Sequence, residues 1–76
     1  MKAYVLVNIR TGAVKEVVKN LTRLENVIEA NMTFGPYDAV AVIEADDLSK
    51  VGSIIYSEIQ PIPGVLETLT CLAVDA

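Results

Sequence analysis

Three apolar runs, Ala3 to Val7, Ala39 to Ile43 and Leu69 to Val74, constrain this chain more than any other feature of its sequence. A strand in a sheet with one wet face alternates apolar and polar residues, because successive side chains point to opposite faces. These runs hardly alternate, so both faces of the sheet they build are expected to be covered. The chain has 76 residues, enough for one domain over residues 1–76. A domain of that size buries only about 60% of the surface its unfolded chain exposes. Small domains usually add disulfides, a structural metal or association, and one cysteine with no histidine leaves association. The second cover is therefore expected to be another copy of the chain, and the seams between copies become the expected place of function.

Composition removes whole classes of activity. The formal charge is −4 and the six Lys and Arg residues are scattered, whereas phosphate binding needs a basic patch, so no direct contact with nucleic acid is expected. Lys15 and Lys19 share a helix face, but Glu16 lies beside them and a solvated surface accounts for all three. Hydrophobic residues make up 53% of the chain and mean hydropathy is +0.45. No segment reaches the roughly 18 uninterrupted apolar residues of a membrane helix, so the excess is for packing and no membrane partner is expected. Met1-Lys2-Ala3 runs straight into the first strand without the pattern of a cleaved signal, which makes the cytoplasm the expected location. No enzyme and no cofactor are expected: histidine is absent, no nucleophile has a nearby base, and no glycine loop suits a phosphate. Asp46 and Asp47 fit helix capping better than metal binding, and with Glu44 they do not match a calcium loop. Cys71 reads as a small core residue of the last strand.

Along the chain, Lys2 to Ile9 is rich in β-branched and aromatic residues and Arg10-Thr11-Gly12 ends it, which predicts a first strand. Val14, Val17, Val18, Leu21 and, at the margin, Leu24 then recur at helical spacing, with Thr11 or Gly12 near the N-cap. Glu25-Asn26 breaks the helix. Val27 to Thr33 alternates, with Ile28, Ala30 and Met32 on one side, as in a half-buried edge strand. Phe34-Gly-Pro-Tyr-Asp38 is a strong turn signal, and the nearly all-apolar Ala39 to Glu44 beyond it fits an interior strand paired with its predecessor. Asp46 is the expected N-cap of a second helix whose buried stripe is Leu48, Val51, Ile55 and Ile59. Gly52 within it would allow close approach to the sheet, at a cost of about 1 kcal/mol relative to alanine. Ile62-Pro-Gly-Val65 fits a turn with proline second and glycine third, where positive φ is needed. Glu67 to Val74 is the fourth strand.

The order strand, helix, strand, strand, helix, strand, with right-handed crossovers, predicts an α+β fold: the ferredoxin-like βαββαβ arrangement, a four-stranded antiparallel sheet with both helices on one face. Val5, Val7 and Ile9 then point one way and Tyr4, Leu6 and Asn8 the other, so the helix-free face carries large apolar side chains. Such a patch marks an interaction surface. Two sheets packed face to face would form a dimeric α+β barrel or sandwich.

The phrases Phe34-Gly-Pro-Tyr-Asp38, Ala45-Asp-Asp-Leu48, and Ile59-Gln-Pro-Ile-Pro-Gly-Val65 followed by Glu67-Thr-Leu-Thr70 resemble the effector domain of the Lrp/AsnC transcription regulators, known as RAM, regulation of amino-acid metabolism. The likeness runs over nearly the whole chain, in order and at the right spacing. Full-length members place a DNA-binding helix-turn-helix domain before this module, and the chain begins at the module, so it resembles a stand-alone form. The resemblance implies a homodimer through the sheets, a ring of dimers (an octamer or similar), and an amino acid effector bound between dimers. Full-length Lrp/AsnC regulators are further partners it suggests.

The residues can be matched to that chemistry. An amino acid has a carboxylate that needs donors and an ammonium that needs acceptors, and burying either unpartnered costs several kcal/mol. The turn from Gly35 to Asp38 offers backbone amides to the carboxylate, apart from Pro36, which has none. Asp38 can accept from the ammonium, Tyr37 can wall the pocket and supply a hydroxyl, and Thr68 and Thr70 put hydroxyls on one strand face. The ligand set implied is Gly35, Tyr37, Asp38, Thr68 and Thr70. Each has a plainer reading: Gly35 and Pro36 suit any tight turn, Asp38 can bond its own turn amides, and threonine favours strands. Two other functions remain open at this point, a structural adaptor that joins full-length regulators without a ligand and a small barrel enzyme with a polar cavity inside the dimer.

Overall fold

The computed structural model describes residues 1–74. Four strands, β1 (Lys2–Ile9), β2 (Val27–Met32), β3 (Ala39–Glu44) and β4 (Val65–Leu72), form one antiparallel sheet in the order β2-β3-β1-β4. The near-continuous apolar strands β1 and β3 are the interior pair, and the more polar β2 is an edge, as the patterns require. Two helices, α1 (Val14–Thr22) and α2 (Leu48–Ile54), supply the crossovers, and α2 continues into a π turn over Ile55–Ile59. This is the ferredoxin-like arrangement predicted above.

One sheet face meets the helices. Ala3, Val5, Val7 and Ile9 from β1 and Ala39, Ala41 and Ile43 from β3 pack with Val17 and Leu21 of α1 and with Val51, Ile54, Ile55 and Ile59. Among the described residues no polar or charged side chain is buried. Burial of this aliphatic surface, at about 25 cal/mol per Å² removed from water, is the main stabilising term. The chain's four aromatic residues, Tyr4, Phe34, Tyr37 and Tyr56, all lie outside the buried core.

The opposite face is bare. Cross-strand pairing lines up Val40, Leu6 and Leu69 in one row and Val42, Tyr4 and Cys71 in the next. Polar residues rim this patch: Asn8 donates to Glu67 (3.0 Å), Asn31 donates to Glu29 (2.8 Å), and the Lys2 ammonium sits 5.4 Å from the centre of the Tyr4 ring. Cys71 is thus exposed on this face and is not a core residue. The reason is parity: it pairs with Tyr4, whose neighbours Ala3 and Val5 take the buried side.

The structure corrects several other local expectations. Thr11 and Gly12 belong to a turn closed by the Ala13 amide on the Arg10 carbonyl (3.0 Å), so α1 starts later, with Ala13 at its cap position and no side-chain cap. Asp47, not Asp46, caps α2: its extended backbone lets its carboxylate accept the Lys50 amide at 2.8 Å. Leu48 is 55% exposed, and Ile54 joins Val51, Ile55 and Ile59 in the buried stripe. Gly52 faces open space, so it mediates no close approach. A register shift between Val27 and Glu29 puts Val27 on the core side and leaves Ile28 exposed. β4 spans Val65–Leu72, starting and ending two residues earlier than predicted.

Candidate functional site

The turn joining β2 to β3 is tied into the sheet at both ends. The Thr33 amide donates to the Asp38 carbonyl (3.0 Å), and the Thr33 hydroxyl donates to the Tyr37 carbonyl (2.7 Å). Between them Gly35 has φ of +147°, a conformation residues with a Cβ rarely adopt, which explains glycine here. Asp38 extends the link between β3 and β1: its amide donates to the Val7 carbonyl (3.0 Å), and its Oδ2 accepts the Ile9 amide at 2.7 Å. The carboxylate thus bonds an amide 29 residues away and not those of its own turn. A hydrogen bond to a charged acceptor contributes roughly 1.5–3 kcal/mol, so Asp38 has a structural role of its own.

Beside this turn lies a cleft of about 470 Å³, open to solvent and lined by Val14, Met32, Thr33, Phe34 and Asp38. α1 contributes Val14 from its first turn, the end of β2 contributes Met32, and the hairpin contributes the rest. Phe34 is fully exposed (109%) and Met32 is 53% exposed, so two large apolar side chains lie uncovered at one place. The volume falls in the range of small-molecule sites, about 300–1,000 Å³.

Of the residues singled out in the sequence, Asp38 lines this cleft and Gly35 and Tyr37 stand in the same turn; Gly35 is exposed and Tyr37 half-buried. Thr68 and Thr70 are elsewhere. They pair with Val7 and Val5 and therefore share the helix side of β4, as their spacing predicts. With β1 between β3 and β4, they stand about two strand spacings, roughly 10 Å, from the start of β3. Thr68 is half-buried and its hydroxyl accepts from the Gln60 side-chain amide (3.2 Å), while Thr70 is exposed. Within one protomer the five residues thus form two groups. The cleft residues Val14, Met32 and Phe34 were read from sequence as stripe, strand and turn. The available signal was Phe34, a large apolar residue beside Gly-Pro in a turn, where solvent-compatible residues are usual.

A second, polar depression holds the chain's first residue. The Met1 ammonium donates to the Ala45 carbonyl (2.7 Å) and to Glu44 Oε1 (3.3 Å), among Asn26, Asp46 and Lys50. Among the described residues no group of three or more His, Cys, Asp or Glu side chains is arranged to hold a metal ion. No helix is long and apolar enough to cross a membrane.

This frame has known counterparts. Residues 2–76 match the model of the Lrp/AsnC ligand binding domain. The chain belongs to that family. The transcriptional regulator FL11 of Pyrococcus abyssi is 33% identical over 72 residues, which cover 95% of this chain and 47% of FL11. The chain therefore spans about half the length of the curated relatives it matches. The crystal structure of TTHA0845 from Thermus thermophilus superposes with a TM-score of 0.93 at 31% identity, covering 99% of this chain and 94% of that one. AsnC of E. coli, at 17% identity, shares the fold with a TM-score of 0.92 over 99% of this chain and 51% of its own. The curated relatives are transcriptional regulators, which speaks for a regulatory domain and against the reading of a small barrel enzyme.

Proposed function

We propose that this Lrp/AsnC domain is an amino-acid-sensing regulatory module that dimerises through its bare sheet face and binds its effector where dimers meet. The observation that carries this reading is the cleft at the β2–β3 hairpin. It holds Asp38, the acceptor proposed for the ammonium, and uncovered apolar surface, yet it is open to solvent. Sites for small ligands enclose most of the ligand, so a second protomer has to supply the remaining wall. Thr68 and Thr70, remote from the cleft within one protomer, are the groups proposed to reach it from a neighbour. The sheet face, apolar at its centre and polar at its rim, has the make-up of a stable protein interface. Direct nucleic-acid binding forms no part of the proposal, since the net charge is −4.

Thermal unfolding against a panel of amino acids at millimolar concentration tests the sensing role. A ligand bound only by the folded state at 100 times its Kd adds about 2.7 kcal/mol, and each kcal/mol raises Tm by about 4–8 °C in a domain this small. At least one amino acid is expected to produce such a rise, in a particle whose light-scattering mass exceeds a dimer. A dimer that no amino acid stabilises sinks the proposal.

One observation favours a second reading. Asp38 already has a partner in the Ile9 amide, so the hairpin stands without a ligand, as it would in an adaptor that joins full-length Lrp/AsnC regulators. Co-purification with such a regulator, unchanged by any amino acid, is the outcome that reading requires.

A further inference from the structure

Charge is distributed unevenly along this chain. Residues 10–23 hold four cations, Arg10, Lys15, Lys19 and Arg23, against one acid, Glu16, whereas the remainder holds two cations against nine acids. Lys15, Lys19 and Arg23 fall on α1 and its C-cap at spacings of four, which puts them on one side of the helix, each about 6 Å further along the axis. All three are exposed, while Val17 and Leu21 take the packed side. Arg10 is exposed in the turn that leads into the helix.

A helix face that meets only water gains from acids and bases interleaved at this spacing, and like charges four apart oppose each other. Lys15 also stands in the first turn, where the helix dipole disfavours a cation; only Lys19 and Arg23, at the other end, are favoured. Nothing within the protomer offsets this. Among the described residues the one ion pair joins the Met1 ammonium to Glu44, so none of the four cations has an acidic partner. The face is also separate from the cleft, which α1 reaches through Val14, a residue packed against the core.

Carboxylates of a protein suit this face better than phosphates. The three helix cations make a single line about 12 Å long, and a second helix with Glu or Asp at every fourth position repeats the same spacing. A duplex demands a broader basic patch, and the nine acids elsewhere on the chain repel a polyanion that runs beyond the line. We propose that the exposed face of α1 docks a carboxylate-rich helix of a partner protein, with Lys15, Lys19 and Arg23 as its contacts and Arg10 flanking the helix start. Exposed ion pairs are individually weak and screened by salt, so the contact is transient. It does not depend on the reading of the cleft as the effector site.

Fluorescence anisotropy with the intact chain tests this using three labelled probes: a helical peptide with Glu at every fourth position, its Gln counterpart, and a short DNA duplex. The Glu peptide is expected to bind at low salt and to weaken about tenfold or more when salt shortens the reach of the charges; the Gln peptide is expected not to bind. Lys15→Gln, Lys19→Gln and Arg23→Gln combined should abolish Glu-peptide binding without lowering Tm, since all three side chains are exposed. Lys19→Gln alone is expected to weaken it several-fold, and Lys50→Gln, which removes the same charge outside the line, to leave it unchanged. If the triple variant does not fold, the comparison of these two single variants decides. Failure of the Glu peptide to bind, or equal losses from Lys19→Gln and Lys50→Gln, overturns the proposal. So does a duplex that binds more tightly than the Glu peptide and is lost with the same cations, because the face would then serve nucleic acid.

Discussion

At Gly64 a side chain has nowhere to go. Its φ is +101°, and a Cβ placed there would lie 2.8 Å from the Ala13 Cβ and 3.2 Å from the Val17 Cγ2. The turn itself, closed by the Val65 amide on the Ile62 carbonyl at 3.1 Å, could be read from Pro63-Gly64. The close approach of α1 could not, because Ala13 and Val17 are about fifty residues away along the chain. Positive φ and the steric clash act together, so Gly64→Ala is expected to destabilise the domain by about 2 kcal/mol or more. A matching fall in the urea midpoint at unchanged slope would check this; an unchanged midpoint would mean that α1 yields at no cost. Asp38 makes the same point about legibility. Its place in a turn was evident, but its partner, the Ile9 amide, is supplied by the pairing of β1 with β3.

Among the elements, α2 departs most from its periodicity. The spacing of Leu48, Val51, Ile55 and Ile59 describes one continuous α-helix. The observed helix passes into a π turn at Ile55, sealed by the Gln60 amide on the Ile55 carbonyl (2.9 Å), and buries Ile54 together with Ile55. Ile54 and Ile55 lie three and four residues beyond Val51, so both share its buried face as the stripe of an amphipathic helix allows, and the expected stripe omitted only Ile54. Gly52 in this helix has space around its Cα. Gly52→Ala is therefore expected to stabilise the domain by about 0.5–1 kcal/mol through helix propensity, read as a rise in Tm. A loss of stability would show that this helix face is covered in the assembled protein. Strand β2 carries the other departure, since the shift after Val27 exchanges which residues face the core. Alternation predicts faces only while the ladder stays in register.

For the molecule as a whole, the core is aliphatic and closed on one sheet face, while the other face holds Tyr4, Leu6, Val40, Val42, Leu69 and Cys71 within a polar rim. Leu6 and Leu69 pair at its centre. Leu6→Asp is expected to lower the light-scattering mass from that of an assembly toward a single protomer, because a charge at the centre of a buried interface is left unpaired. Retention of the full mass would move the interface elsewhere. The element order, the strand and helix periods, the proline-glycine turns and the apolar face followed from the sequence alone, because each depends on residues a few positions apart. The family phrases, read in that order, pointed to the correct fold and to the Lrp/AsnC domain. Tertiary structure alone decided that Asp47 and not Asp46 caps α2, that Cys71 lies on the bare face, that Asp38 is bonded to β1, and that Val14, Met32 and Phe34 meet in one cleft. Most of these rest on contacts between elements distant in the chain, and the choice of cap on the backbone angles that packing imposes there. Local pattern carries no information about either.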